Sequence, residues 1–554
     1  MCLLAATLSA TAGCSSGTAP HIRPCTAAAP VVTLTPFQYV SIDPATDSGC
    51  AQFSASATAA EYLVVPQLAT GVPAQTAAFR LVGDTIIPAT PSAPQTARLE
   101  AGPAERFHQF LRLGDERRYW GFAPRVAPRA PAFEPTVATG GPPAVNTLRA
   151  FMVCANTDCS TFNRVNARVR VVKSKVAIYV DTLAPSGGLD STQLDNIANT
   201  FDQRLYPIDT TAFGRESDID SNSVVLVLMT NTVNKLVTAS ACNTGFVAGF
   251  FYGADLDPNF RNDPRSNKGE IFYSIVADPL GKLSCAHSVS VVQSILPVTF
   301  IHEFQHMISF GQHVLDRGGT GEVLWLNEGF SHYAEELGGR SYEGTPDARV
   351  TDCSLGQPDC AFFVGDLYNA YHYLDSTGDH FLLPTDGIGT LAERGAAWLF
   401  VRYVVDHYAA GSTRADWDAL TRSLIQTTNT GAANIAAVTG EPFATTVSRW
   451  ALTQWVTDMS GAPPELRYNS WALHSVYASL HTQSSSFGKA YPLVPVMSPG
   501  RAVNMTGTLR AGSGIYQLAA QAAGDPGFTL SFTAPSGDVI NATLVPRLNV
   551  IRLQ

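Results

Sequence analysis

The chain has 554 residues, past the size at which one hydrophobic core keeps growing, so two or three domains are expected and a small stapled scaffold is excluded. Apolar residues make up 45% of it and charged ones only 15%, a balance that excludes a wholly disordered chain and suits an exported protein. The formal charge is −10 and no long Lys/Arg run occurs, which excludes a basic nucleic-acid footprint.

Residues 1–25 read as a leader. The first thirteen are apolar or small and uncharged, and Thr11-Ala12-Gly13-Cys14 resembles the end of a bacterial lipoprotein signal, which implies acylation of Cys14 and a cell-surface or outer-membrane protein. A plain secretory signal and a secreted protein are the alternative. The apolar run is shorter than the ~20 residues that span a bilayer, and no later run reaches that length. Setting aside Cys2 and Cys14, eight of the ten cysteines remain, in near pairs: Cys25 with Cys50, Cys154 with Cys159, Cys242 with Cys285, and Cys353 with Cys360. An even, locally spaced set predicts disulfides in an oxidising compartment, and proximity favours these neighbour pairs.

Short β-type runs broken by Pro, Gly, Asp and Ser, such as 37–41 and 61–65, predict an N-terminal β-rich domain over 26–121, most simply a β-sandwich. It includes a helical stretch at 104–118 with Phe107, Phe110, Leu111 and Leu113 on one face. Six prolines between Pro124 and Pro143 then predict an extended linker over 122–147. Beyond it, strands at 168–172 and 176–180, a helix near 192–205 and the apolar run 224–229 indicate an α/β lobe. The pattern turns helical over 290–459, clearest at 391–408, 417–425 and 443–456. After residue 461 β alternation returns, with Phe528, Leu530 and Phe532, then Ile540, Ala542 and Leu544, and predicts a C-terminal β-sandwich over 461–554. The fold class expected is α+β.

The stretch that carries chemistry is His302-Glu303-Phe304-Gln305-His306, within a helix predicted over 294–310. Pro297 suits a first helical turn, and Phe300, Ile301, Phe304 and Ile308 supply an apolar stripe. One turn apart, His302 and His306 point the same way, so two imidazoles can meet one ion without backbone strain. Glu303 lies beside them, where it can reach a metal-bound water but not easily replace a ligand. A zinc site needs a third ligand. After a turn-rich segment, a second helix over 325–337 carries Glu328, far enough along the chain for it to reverse and set a carboxylate opposite the histidine pair.

A helix with His-Glu-x-x-His, a loop, then Asn327-Glu328-Gly329-Phe330-Ser331 resembles the gluzincin metallopeptidases. The fuller string, His302 to Ile308 followed by Trp325-Leu326-Asn327-Glu328-Gly329, is similar to the hyicolysin family of secreted bacterial neutral metallopeptidases. The likeness covers 176–460 and is specific over the two motif helices. It implies a thermolysin-like metallopeptidase domain over 148–460, with a sheet-containing N-terminal lobe and a helical C-terminal lobe. It further implies Zn2+ on His302, His306 and Glu328, Glu303 as general base, and extracellular protein or peptide substrates. Aminopeptidases of the same clan share Asn-Glu-Gly-Phe, but their Gly-x-Met-Glu-Asn motif is absent, so an endopeptidase is expected. Related enzymes use a downstream Tyr or His to stabilise the oxyanion; here Tyr371, His372 and Tyr403 remain open.

Glu335 and Glu336 compete with Glu328 as third ligand; Glu335 shares its helix face and is otherwise expected to orient a histidine, whereas Glu336 reads more as solvated charge. His313 reads as a surface residue, and His332, one turn after Glu328, as either a neighbour of the site or a bystander. Asp218-Ile219-Asp220-Ser221-Asn222 imitates the opening of a calcium loop, but Gly at its sixth place and Glu at its twelfth are missing, so a turn before a strand is expected. No Gly-x-Ser-x-Gly elbow or phosphate-binding loop occurs. The competing reading is a surface binding protein or adhesin on a peptidase-like scaffold without turnover.

Overall fold

The computed structural model describes residues 25, 29, 31–45, 49–85, 101–123, 140–385 and 389–554. The leader expected before residue 25, with Cys14, and most of the expected linker lie outside the described residues. Strands β1 (Val31–Val32), β2 (Tyr39–Ile42), β3 (Cys50–Phe53), β4 (Ala60–Leu68) and β5 (Thr76–Gly83) precede helix α1 (Pro103–Arg117). Next come β6 (Leu148–Cys154), β7 (Phe162–Val172), β8 (Val176–Asp181), α2 (Ser191–Thr200), α3 (Tyr206–Phe213), β9 (Val225–Met229), α4 (Asn231–Asn234), β10 (Gly249–Phe251) and β11 (Ile271–Ser274). A helical stretch holds α5 (Val289–Phe310), α6 (Leu324–Arg340), α7 (Pro358–Asp375), α8 (Leu391–Tyr408), α9 (Arg414–Ile425), α10 (Gly431–Thr439), α11 (Phe443–Val456) and α12 (Leu473–Gln483). The chain closes with β12 (Val496–Pro499), β13 (Asn504–Arg510), β14 (Gln517–Gln521), β15 (Phe528–Thr533) and β16 (Pro546–Arg552).

The two predicted terminal sandwiches are one. Strands from both ends interleave in two five-stranded sheets, ordered β1-β3-β15-β5-β13 and β12-β14-β4-β16-β2. In the first, β15 lies antiparallel between β3 and β5; in the second, β16 lies antiparallel between β4 and β2. Phe53, Tyr62, Val64, Phe79, Leu81, Phe528, Leu530 and Val550 fill the space between the sheets, with the Phe53 and Phe528 rings stacked 4.5 Å apart. Each terminal segment offers two or three of the five strands in each sheet, and neither set buries its apolar face alone. Ile540, Ala542 and Leu544 form no strand: Asn541 caps a single turn over Ala542–Leu544, and the pairing strand is β16.

The run Ala60–Leu68 is buried on both faces. Tyr62 and Val64 enter the sandwich core, whereas Leu63 and Val65 join the core of the helical half. Polar ties reinforce this contact. Gln67 Nε2 donates to the Val447 carbonyl at 3.2 Å, and the Tyr516 hydroxyl donates to that of Ala451 at 2.7 Å, both on α11.

The middle of the chain builds a six-stranded mixed sheet, ordered β10-β11-β9-β8-β7-β6, with β8, β9 and β11 parallel. β9 is buried at all five positions, as its unbroken apolar run anticipates for a covered parallel strand. Helix α5 lies against the short edge strand β10, where Gly249 is required: a Cβ there would stand 2.6 Å from Thr299 Cγ2. Helix α5 starts at Val289, capped by the Ser288 side chain, so Pro297 sits inside it instead of in its first turn. Helix α1 belongs with this half and not with the N-terminal sandwich, because its apolar stripe meets the sheet edge; Phe107 packs edge-on against Phe250 with ring centroids 4.9 Å apart. All four neighbour disulfides are formed. Among the described residues no helix is long and apolar enough to cross a membrane.

Candidate metal centre

Helix α5 carries His302, Glu303 and His306; α6 carries Asn327, Glu328, Ser331, His332 and Glu335. Residues 300–310 of α5 and all of α6 are buried, so these polar side chains sit in low dielectric and each needs a partner. The His302 and His306 Nε2 atoms lie 3.1 Å apart. Glu328 Oε2 stands 3.6 Å from the first and Oε1 3.9 Å from the second. All three side chains named from the sequence therefore converge, with one ligand atom of each within 4.8 Å of the others.

The far nitrogens settle the tautomers. His302 Nδ1 meets Glu335 Oε1 at 2.6 Å, and His306 Nδ1 meets Asn327 Oδ1 at 2.7 Å, with Ser331 Oγ at 2.9 Å. A carboxylate and an amide carbonyl only accept, so both Nδ1 atoms carry the proton and both Nε2 lone pairs face inward. Two lone pairs 3.1 Å apart, beside a carboxylate that takes no hydrogen bond although Glu328 is 3% exposed, repel one another unless a cation lies between them. Ligands ~2.0–2.1 Å from a tetrahedral zinc stand about 3.3 Å apart, close to the separations here. The donor set fits that ion.

Electrostatics favour the ligand protonation states. Burial depresses the His306 pKa well below its usual value, keeping the ring neutral. Burial alone would raise the Glu328 carboxyl, but the Arg394 guanidinium, whose Nη1 lies 3.6 Å from Oε2, leads the charges that hold it well below its usual value. The carboxyl of Glu303 is pushed up by burial, and its Oε2 accepts the Phe251 N–H at 2.8 Å. The Phe251 carbonyl in turn accepts from Arg112 Nη2 at 2.9 Å, so α1 and the β10 edge both contribute to the wall beside Glu303.

Several expectations from the sequence need revision. His332 is no bystander: its Nδ1 lies 2.8 Å from Asp366 and 3.0 Å from Glu335, and its Nε2 4.0 Å from Glu328. Burial opposes its charge, yet the two carboxylates push its pKa up to about 10. Glu336 is not a solvated charge but fully buried, paired with Arg340 and Arg402 and accepting the indole N–H of Trp398 and Trp471. His313 is likewise fully buried, because the chain continues α5 into a π-turn that turns the ring inward. Of the open oxyanion candidates, the Tyr403 hydroxyl donates to the Glu465 carbonyl and that of Tyr371 accepts from the Lys489 N–H, so neither is bonded to the His302–Glu328 group. His372 packs edge-on against Tyr368 with ring centroids 4.4 Å apart. Asn327, Arg394, Arg112 and Asp366 were not singled out in the sequence. Only Asn327 left a local signal there, as the neighbour of Glu328 in the second motif.

No protein-family model matches the chain. Over 146 residues it is 29% identical to the neutral metalloprotease ShpI of Staphylococcus hyicus, a stretch that is 26% of this chain and 31% of that protein. The likeness is to a metalloprotease, and it takes in about a third of the relative's own length.

Proposed function

We propose that this protein is a zinc-dependent endopeptidase acting on extracellular proteins, with His302, His306 and Glu328 as metal ligands and Glu303 as general base. The observation that carries the reading is the convergence of two unprotonated Nε2 atoms and a buried carboxylate that accepts no hydrogen bond, with Glu303 one residue along the same helix. When bound, zinc would polarise the scissile carbonyl and activate a water. Glu303 would accept that water's proton and return it to the leaving amine; burial raises its pKa above the usual carboxylate value, which favours holding the proton between the two steps. Glu335 and Asn327 hold the two imidazoles in the tautomer the metal needs. Arg112 and Phe251 fix the wall from which Glu303 works. Four disulfides support a site of action outside the reducing cytoplasm. Attachment through an acylated Cys14 is part of the same proposal.

The test is metal analysis joined to proteolysis. Purified protein is expected to hold one zinc per chain, to cut casein and peptides with blocked N-termini, and to lose both activities on chelation and regain them with zinc. Glu303→Gln should keep the metal and lose about 10²–10⁴-fold in rate. Zinc-loaded protein that cuts no peptide would instead establish a binding protein on this scaffold, and cutting confined to free N-termini an aminopeptidase.

A further inference from the structure

A second group of carboxylates lies away from the histidines. The parallel strands β9 and β11 run side by side, Leu226 opposite Ile271, and so bring their N-terminal ends together. The turn over 218–222 leads into β9, and Glu270 immediately precedes β11 and accepts the Leu226 N–H on its carbonyl at 2.7 Å. This register places one oxygen each of Asp218, Asp220 and Glu270 within 4.8 Å of one another. Glu270 comes from far downstream, which is why the 218–222 stretch read alone looked like an incomplete calcium loop.

The group pointing to a ligand is Glu270. It is 1% exposed; its Oε1 accepts from Ser217 Oγ at 2.6 Å and the Ile219 N–H at 3.0 Å, whereas its Oε2 has no hydrogen-bond donor. An ionised oxygen left bare in the interior costs several kcal/mol unless a cation meets it. No Lys or Arg nitrogen among the described residues forms an ion pair with any of the three; Arg149, which acts on Asp220 from further off, donates to the Asn267 carbonyl at 2.8 Å.

We propose that Asp218, Asp220 and Glu270 form a calcium site. Only oxygen donors are present, which excludes a soft transition-metal site, and calcium tolerates the irregular geometry that magnesium does not. Asp218 is exposed, so its side of the site is open for water to complete a shell of six to eight oxygens. The bound ion would tie the 218–222 turn to the start of β11. That turn also borders the end of the catalytic helix, since a Cβ on Gly311 would lie 3.6 Å from the Ser217 nitrogen. Calcium would thereby brace the C-terminal end of α5, and its role is structural.

The experiment uses the full chain carrying Glu303→Gln, so that it cannot digest itself, stripped of metal and reloaded with one equivalent of zinc. Titration with calcium chloride in a calorimeter should reveal one site per chain with a Kd of about 10⁻⁴–10⁻³ M, and calcium should raise the melting temperature. Asp218→Asn, which keeps an acceptor for the Ser223 N–H, and Glu270→Gln, an isostere free of buried charge, should each weaken binding at least tenfold and abolish the thermal shift. Absence of heat and of any shift at millimolar calcium would overturn the site. So would unchanged calcium affinity in both variants. Neither result bears on whether the zinc site cuts peptides.

Discussion

At the scale of the residue, the centre depends on what lies behind each imidazole. A ligating nitrogen is only as well placed as the acceptor that fixes the other nitrogen's proton, and here the two acceptors differ: a carboxylate, Glu335, for His302 and an amide, Asn327, for His306. Removing either, as Asn327→Ala or Glu335→Gln, is expected to weaken zinc affinity about 10–100-fold while leaving the fold intact, measured by competition with a chromogenic chelator. Elsewhere Glu322 offers a test of buried charge. It accepts the Val323 and Gly431 N–H groups at 2.7 Å and Asn434 Nδ2 at 3.0 Å, yet burial pushes its pKa from 4.5 up to about 7. Because the folded value is the higher, its contribution is fully present below pH 4.5 and is lost as pH rises through about 7. Glu322→Gln should therefore remove ~3 kcal/mol of that pH dependence, read from urea unfolding at about pH 5 and about pH 8. The three side chains that converge were legible in sequence, because His-x-x-x-His spacing on a helix is a local geometric fact. Arg394, Arg112 and Asp366 were not, since each reaches the site from another element.

At the scale of the element, α8 delivers Arg394 to Glu328 and packs on both α6 and α7 through small residues. A Cβ on Gly395 would stand 2.2 Å from the Ala370 nitrogen, and one on Gly329 3.0 Å from the Ala397 carbonyl oxygen. Backbone atoms cannot yield as a side-chain tip can, so Gly395→Ala must push α8 away from α7. It is expected to cost ~1–3 kcal/mol in stability and, by moving Arg394, to reduce casein cleavage. Urea unfolding and the rate at saturating zinc would check the two effects separately. Most of these helices were visible as apolar periodicity, α8 and α11 to the residue. The start of α5 was not, because Pro297 imitates a helix start and only the Ser288 cap and the packing of Val292 and Leu296 carry the helix back to Val289.

At the scale of the molecule, the two ends of the chain are held together by pairing. β15 and β16 are interior strands whose direct neighbours, β3 and β5 for the first and β4 and β2 for the second, all come from residues 31–83, and the second sheet lies on α11. A chain ended at residue 492 would leave β2, β3, β4 and β5 without those partners and expose the aromatic core around Phe53 and Phe79. Limited proteolysis is expected to digest residues 31–83 in that truncation under conditions the full chain resists, and size-exclusion chromatography to show aggregation. Independent folding of the N-terminal segment, with unchanged resistance, would contradict the interleaved sandwich.

Composition, cysteine spacing and the two motif helices anticipated, without coordinates, the α+β class, the four disulfide pairs and the three side chains that meet, because each leaves a pattern in short stretches of the chain. What only the tertiary structure decided were pairings between separate elements: one sandwich built from both termini, α1 seated at the sheet edge, Glu336 buried among Arg340 and Arg402, and Glu270 brought to Asp218 and Asp220. Local sequence records which face of an element is apolar, not which partner covers it, and the choice among partners is made by the burial of the whole chain at once.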